Sequence, residues 1–300
     1  MPSMTPASGS PATSKNSTAG EADRDRIRYL RLSTLTLPLA TPISDAKVLT
    51  GVQRPMTEIV LLFAEIHTED GHHGIGFSYS KRAGGPAQYA HAREIADRLL
   101  GEDPNDIARI YRKLLWAGAS VGRSGVATQA IAALDIALYD LKARRSRLSL
   151  SKFLGSHRDS VRSYNTSGGF LHLSIDEVKD RADRSLADGL GGIKIKVGQP
   201  ETRVDLQRVA ALREHLGPGV PLMVDANQQW DRPTAMRVGR ALEQFDLVWI
   251  EEPLDAYDAE GTPSWPPPWT PRSPPARCSP AWASAPPGDF VARYRLDVKA

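Results

Sequence analysis

Lys194 and Lys196 in GIKIKVG alternate with Ile193, Ile195 and Val197. Side chains of an extended strand point to opposite faces in turn, so the two ammonium groups share one face and the aliphatic groups pack on the other. Two lysines this close repel, which favours the neutral amine and suits one of them to act as a base near neutral pH. Farther along, LMVDAN closes on Asp225 and Asn227, and VWIEEP carries Glu251. Carboxylates at neighbouring strand ends make an oxygen-rich site suited to Mg²⁺, which prefers hard ligands and keeps several waters. Singly, each of these residues also fits a solvated strand edge or a helix cap. Together, at successive strand ends, they point to one site.

The elements that must position them follow from the alternation of short apolar strands with helical periodicity from about Asp159. VRSYNT precedes SIDEVKDRADRSLADGL; GIKIKV precedes ETRVDLQRVAALREHL; PLMVDA precedes RPTAMRVGRALEQF; LVWIEEP comes last. This rhythm predicts parallel strands with right-handed crossovers and a site at the C-terminal face of a barrel. The preceding half reads differently. RIRYLRLSTLTLPL, EIVLLFAEIHTEDG and GIGFSYS form a small antiparallel sheet. Helices follow over AQYAHAREIADRLLG, DPNDIARIYRKLLW and ATQAIAALDIALYDLKARR, the second capped by Asp103 with Pro104 at its first position.

Composition restricts the function classes. The 300 residues are 41% hydrophobic and 24% charged, a soluble globular balance. A single cysteine allows no disulfide and fits a reducing, cytoplasmic compartment. No apolar run is long enough to span a membrane, and residues 1–25 read as a disordered Ser/Thr/Ala-rich leader with no apolar signal core. The net charge of +3 arises entirely after Gly261, so no helix or strand carries a basic footprint for nucleic acid. His72 and His73 sit at a hairpin turn, where solvation is the usual state. GASVGRSG (Gly118 to Gly125) lacks the strand and spacing of a phosphate loop. Asp135 and Asp140 fit exposed or capping positions on a helix.

LMVDAN through IEEP (Leu222 to Pro253) and AIAALDIALYDLKARRSRLSLSKFLG (Ala130 to Gly155) resemble the signatures of the mandelate racemase and muconate lactonizing branch of the enolase superfamily. Within it, LATPISDAKVLTG, GFSYSKRAGG, YNTSGGFLH and WIEEPLDAYD are similar to acid-sugar dehydratases that act on dicarboxylates. The resemblance runs from about Arg26 to Gly261. It implies an α+β capping domain (26–158), then a (β/α) barrel domain begun over 159–261 with about four strands, and abstraction of the proton α to a carboxylate through an enediolate. It also implies Lys196 as the general base and Lys194 beside it, contacting the substrate carboxylate and depressing the pKa of Lys196. Asp225 and Glu251 become Mg²⁺ ligands, and Asn227 a substrate contact whose other reading is a helix cap. Asp45, Lys47, Lys81 and Arg82 fall on loops that close over substrate, where a basic pair suits the far carboxylate of a sugar diacid. The partner is a small acid sugar, and the intact family form is a homo-oligomer. Racemase, epimerase or cycloisomerase chemistry on the same fold stays open, as does a non-catalytic remnant.

The resemblance stops where EGTPSWPPPWTPRSPPARCSPAW begins at Glu260, a stretch with eight prolines, three of the six tryptophans and the single cysteine. Prolines at this density exclude barrel strands. Neither the Thr-Gly-Glu strand end that supplies a third metal carboxylate in the family nor the later His/Asp pair can be found there. Codons compatible with Thr262 to Trp282, read two bases onward, spell Thr-Gln-Leu-Ala-Ala-Ala-Leu-Asp-Thr-Pro-Ile-Ala-Thr-Gly-Glu, a helix and then a strand ending in the missing carboxylate. The expectation is a one-base deletion near codon 262, so that 262–300 is coding DNA translated out of register. The chain as written is then expected to fold poorly beyond the capping domain, bind magnesium weakly and lack activity.

Overall fold

The computed structural model describes residues 25–258, which form two compact units. One comprises the chain up to Pro42 with Met56–Ser160, and the other Ile43–Pro55 with the chain from Val161. The proline-rich stretch, and all of the leader but its last residue, lie outside the described residues. That last residue, Asp25, is buried, accepts a hydrogen bond from the Asp70 amide and faces Arg145 at 3.4 Å.

In the first unit, β1 (Ile27–Ile43), β2 (Met56–Thr68) and β3 (His73–Lys81) form a sheet in that order, with β2 and β3 antiparallel. The link between β1 and β2 carries the short helix α1 (Ala46–Leu49), which belongs to the second unit. Helices α2 (Gly85–Ala96), α3 (Ile107–Ala117) and α4 (Val126–Arg145) build the core against the sheet, and α5 (Leu150–Phe153) follows. The α4 face toward the sheet is rich in alanine, with Ala130, Ala133 and Ala137 buried. Its counterpart on β3 is glycine, because a Cβ on Gly76 would stand 2.1 Å from the Ala133 carbonyl oxygen and 2.4 Å from the Ala137 nitrogen. Gly76→Ala is therefore expected to destabilise this unit by about 3 kcal/mol, seen as an earlier midpoint in urea followed by circular dichroism.

The second helix starts later than its sequence suggests. Asp103 does not cap α3; its carboxylate accepts from the Asn105 amide at 2.9 Å, and its carbonyl accepts from Asp106. Asp-Pro here makes a tight turn, a role for which proline's fixed φ is equally suited, and the helix begins three residues further on behind Asp106. Asp140 is neither exposed nor a cap: its Oδ2 accepts from the Ile75 amide and from Arg144, tying α4 to β3. His73 opens β3 and stacks on His67.

The second unit alternates β4 (Asn165–Gly169), α6 (Ile175–Ala187), β5 (Ile193–Lys196), α7 (Thr202–Leu216), β6 (Leu222–Asp225), α8 (Arg232–Leu242) and β7 (Ile250–Glu251). Its four strands are parallel and stand in sequence order, as the strand–helix rhythm requires. The first is shorter than VRSYNT suggests and starts only at Asn165. Ser174 caps α6 in a reciprocal box with Glu177, and Asp231 caps α8. Ile193, Ile195, Val197, Val209, Leu212, Leu222, Val224 and Val238 share one core. No helix among the described residues is long and apolar enough to cross a membrane.

Candidate active site

The parallel register sets Lys196 opposite Asp225 and Asp225 opposite Glu251, so three successive strands end level with one another. Ile193, Ile195 and Val197 enter the core as the alternation demands, and Lys194 and Lys196 turn to the other face. Lys196 Nζ donates to Asp225 Oδ2 at 2.5 Å. Lys194 Nζ is paired with Glu251 Oε2 and lies 3.6 Å from Asp225 Oδ2. Both ammonium groups thus converge on the two carboxylates. Asp225 is 2% exposed and Lys194 5%, so these charges are compensated by one another rather than by water.

The electrostatics differ from simple repulsion between lysines. Burial pulls the Lys194 ammonium toward the neutral form, but its hydrogen bond to Glu251 and the charges of Glu251 and Asp225 outweigh burial and hold it above the ordinary lysine value. The Tyr164 ring lies 5.6 Å from the same ammonium and meets Trp249 edge to face, while the Trp249 indole N–H donates to Glu251 Oε2 at 3.4 Å. These aromatic neighbours carry no motif that sequence reading could single out. Trp249 precedes Glu251 by two, so strand periodicity alone places them on one face.

Asn227 does not cap the next helix, a task that falls to Asp231. Its amide donates to Asp225 Oδ1 at 2.9 Å, and its buried Oδ1 has no partner among the described residues. Asn227, Gln228 and Glu252 all have positive φ, and the Gln228 amide donates to the Glu252 carbonyl at 2.7 Å. Three left-handed non-glycine residues beside the carboxylates are the kind of backbone strain that concentrates at functional sites.

Asp45 and Lys47 belong to the same unit as this cluster. Asp45 caps α1 by accepting from the Lys47 and Val48 amides, and Thr50 reaches Gln229 at 3.4 Å, so the 43–55 segment lies against the loop after β6. Lys81 and Arg82 belong to the other unit, at the end of β3, with Arg82 in the left-handed region.

Reading along the chain also missed Asp205. It occupies the phase of α7 that otherwise buries Val209 and Leu212, and a charged residue in an apolar stripe is the signal that could have found it. Burial lifts its carboxyl to about 6 despite hydrogen bonds from the Gly198 and Gln199 amides and the nearby charge of Arg208. Because this folded value lies above the ordinary one, the stabilisation it brings is complete below about pH 4 and is lost as pH rises through 6. Wild type is therefore expected to lose stability relative to Asp205→Asn between pH 4 and 7, by about 2 to 3 kcal/mol, in denaturant titrations across that range.

The donor set fits a hard divalent cation. Asp225 and Glu251 offer carboxylate oxygens at adjacent strand ends, and the ammonium groups paired with them show that positive charge is accommodated beside both. Among the described residues no group of three His, Cys, Asp or Glu converges, so the set is two carboxylates, to be completed by water, substrate or a further ligand.

Comparison with known proteins adds to this geometry. Residues 43–155 match the family signature described as mandelate racemase/muconate lactonizing enzyme, N-terminal domain, and residues 177–264 that of the enolase C-terminal domain-like family. The chain is 63% identical over 250 residues to L-talarate/galactarate dehydratase of Salmonella typhimurium, covering 83% of this chain and 63% of that protein. It is 40% identical to 3,6-anhydro-alpha-L-galactonate cycloisomerase of Streptomyces coelicolor, covering 78% and 64%. The crystal structure of L-talarate dehydratase from Polaromonas sp. JS666, complexed with Mg and L-glucarate, superposes with a TM-score of 0.76 at 69% identity, covering 79% of this chain and 64% of that one. The chain thus spans less than two thirds of the length of these relatives.

Proposed function

Because the chain belongs to the mandelate racemase/muconate lactonizing enzyme branch of the enolase superfamily, we propose that it carries the proton-abstracting half of a Mg²⁺-dependent acid-sugar dehydratase for galactarate or L-talarate. The observation that supports this most directly is the level ending of β5, β6 and β7, which gathers Lys194, Lys196, Asp225 and Glu251 at one point. In this reading Asp225 and Glu251 hold Mg²⁺, which when bound supplies positive charge for the enediolate oxygens. Lys196 Nζ takes the proton from the carbon α to the substrate carboxylate, and the bonding pair moves into that carboxylate. Lys194, kept charged by its carboxylate neighbours, orients the same carboxylate. Asn227 Oδ1 accepts from a substrate hydroxyl. Lys47, on the 43–55 segment of the same unit, pairs with the distal carboxylate of the diacid, and Asp45 accepts from a substrate hydroxyl. Collapse of the enediolate then expels the β-hydroxyl, which leaves as water once protonated.

The four parallel strands are, in this reading, the opening part of a (β/α)₈ barrel. The third metal carboxylate and the acid that protonates the leaving hydroxyl belong to strands encoded in the frame shifted by one base near codon 262, so the 300-residue chain has little or no activity. The relative that is a cycloisomerase favours a second reading in which the same Lys196 step leads to ring opening instead of water loss. Assay of both the 300-residue chain and the frame-restored chain with galactarate, L-talarate and an anhydrosugar acid separates these. Turnover of galactarate or L-talarate by the restored chain supports the proposal. Inactivity of the restored chain toward both, or robust turnover by the 300-residue chain, overturns the corresponding part.

A further inference from the structure

Asp205 is fully buried on the first turn of α7, with both oxygens out of reach of solvent. Oδ2 accepts from the amides of Gly198 and Gln199, at 2.7 and 2.9 Å, the two residues on which the chain turns away after Lys196 and Val197. Gly198 has a φ of +101°, and a Cβ there would stand 2.9 Å from the Ala226 carbonyl oxygen, so this turn lies directly against the loop that follows Asp225. Val197 is fixed from the same side, its amide donating to the Asp225 carbonyl at 2.9 Å. One helical turn after Asp205, Arg208 donates through Nη1 to Leu173 and through Nη2 to Phe170, both carbonyls of the loop after β4. One face of α7 therefore grips two consecutive loops at the end of the sheet where the lysines and carboxylates meet.

We propose that Asp205 is a positioning residue that fixes the turn after β5, and through it the placement of Lys196 against Asp225. The turn's two amide protons point into protein, where an unpaired donor is costly, and Asp205 Oδ2 is the acceptor that both of them find. If that acceptor is removed, the turn must open to reach water, and the end of β5 is released from the loop carrying Asn227 and Gln229. The negative charge is not required for this; an acceptor oxygen at the Oδ2 position is. Oδ1 has no hydrogen-bond partner among the described residues, so an amide nitrogen can take its place without displacing one. The catalytic consequence rests on the assignment of Lys196 as base; the conformational one does not.

Hydrogen exchange resolved at single amides in the frame-restored chain tests it, comparing wild type, Asp205→Ala and Asp205→Asn. In wild type the Gly198 and Gln199 amides are expected to exchange slowly. Asp205→Ala is expected to speed both about 100-fold, the loss of hydrogen bonds to a charged acceptor. Asp205→Asn should restore slow exchange. In the frame-restored chain, Asp205→Ala should lower kcat more than it raises KM, and Asp205→Asn should recover most of kcat. Fast exchange in wild type, or equal exchange in wild type and Asp205→Ala, overturns the proposal. So does failure of the asparagine variant to slow exchange. Slow exchange that responds as expected, with the restored chain inactive toward acid sugars, would leave the positioning role standing and remove the dehydratase reading alone.

Discussion

If the proposed frameshift holds, a single cytosine inserted after codon 261 of the gene is expected to raise turnover of galactarate or L-talarate by about 10⁴-fold or more. The size of the effect follows from what the described site contains and what the reaction requires. Asp225 and Glu251 are two carboxylates, and both are already engaged by ammonium groups. A cation that must displace those contacts with two anionic ligands competes poorly, whereas a third carboxylate raises the negative charge of the site beyond what two lysines neutralise. Water loss also needs an acid beside the departing hydroxyl, and the ion-paired lysines stand with the carboxylates on one side. Each missing contribution, a charge on the developing oxyanion and a proton for the leaving group, is worth about 10² to 10⁴. The readout is dehydration rate at saturating magnesium, with sequencing of the gene across codons 258 to 270. An uninterrupted frame in the DNA would remove the basis for the expected gain.

Lys196→Ala in the frame-restored chain is expected to lower kcat about 10³ to 10⁴-fold with KM changed little, since the amine acts in proton transfer and not in holding substrate. Lys196→Arg distinguishes a base from a mere counter-charge. A guanidinium keeps the positive charge opposite Asp225 and so preserves the buried ion pair and the melting temperature, but it stays protonated at all accessible pH and cannot accept the proton. Both variants should therefore be inactive while only alanine is also less stable, because it leaves the buried Asp225 with Lys194 at 3.6 Å as its remaining cation. Lys194→Ala should behave differently. It removes a group that contacts the substrate carboxylate, so KM is expected to rise together with a fall in kcat. Substantial activity in Lys196→Arg would sink the assignment of Lys196 as base.

Much of this was legible along the chain because strand and helix periods are local. Alternation over Ile193 to Val197 assigns faces before any partner is known, and Asp225 and Glu251 stand out as charges that close apolar runs. The helix start at Ser174 is equally local, a cap reaching only three residues along its own helix, whereas the start at Asp231 is legible only to within a residue, with Asn227 a competing cap. The failures share one cause. Asp103 looked like a cap because Asp-Pro suits a helix start and a tight turn alike. Asp140 looked like a surface charge and Asp205 drew no notice, yet their carboxylates accept from amides of other segments, Ile75 in one case and Gly198 and Gln199 in the other. Tyr164 and Trp249 meet although they flank the first and last strands of the sheet, which no spacing records.

The sequence by itself determined that two lysines share a face, that two carboxylates and an asparagine end neighbouring strands, and that these elements alternate as parallel βα units. It did so because each of those facts depends on residues within one turn or one strand. Only the tertiary structure decided which carboxylate each ammonium meets, that Lys194 is held charged instead of being neutralised by its neighbour, and that a buried aspartate on α7 fixes the turn after Lys196. Those outcomes depend on the register between strands and on how far each charge is withdrawn from water, and both are set by the packing of segments far apart in the chain.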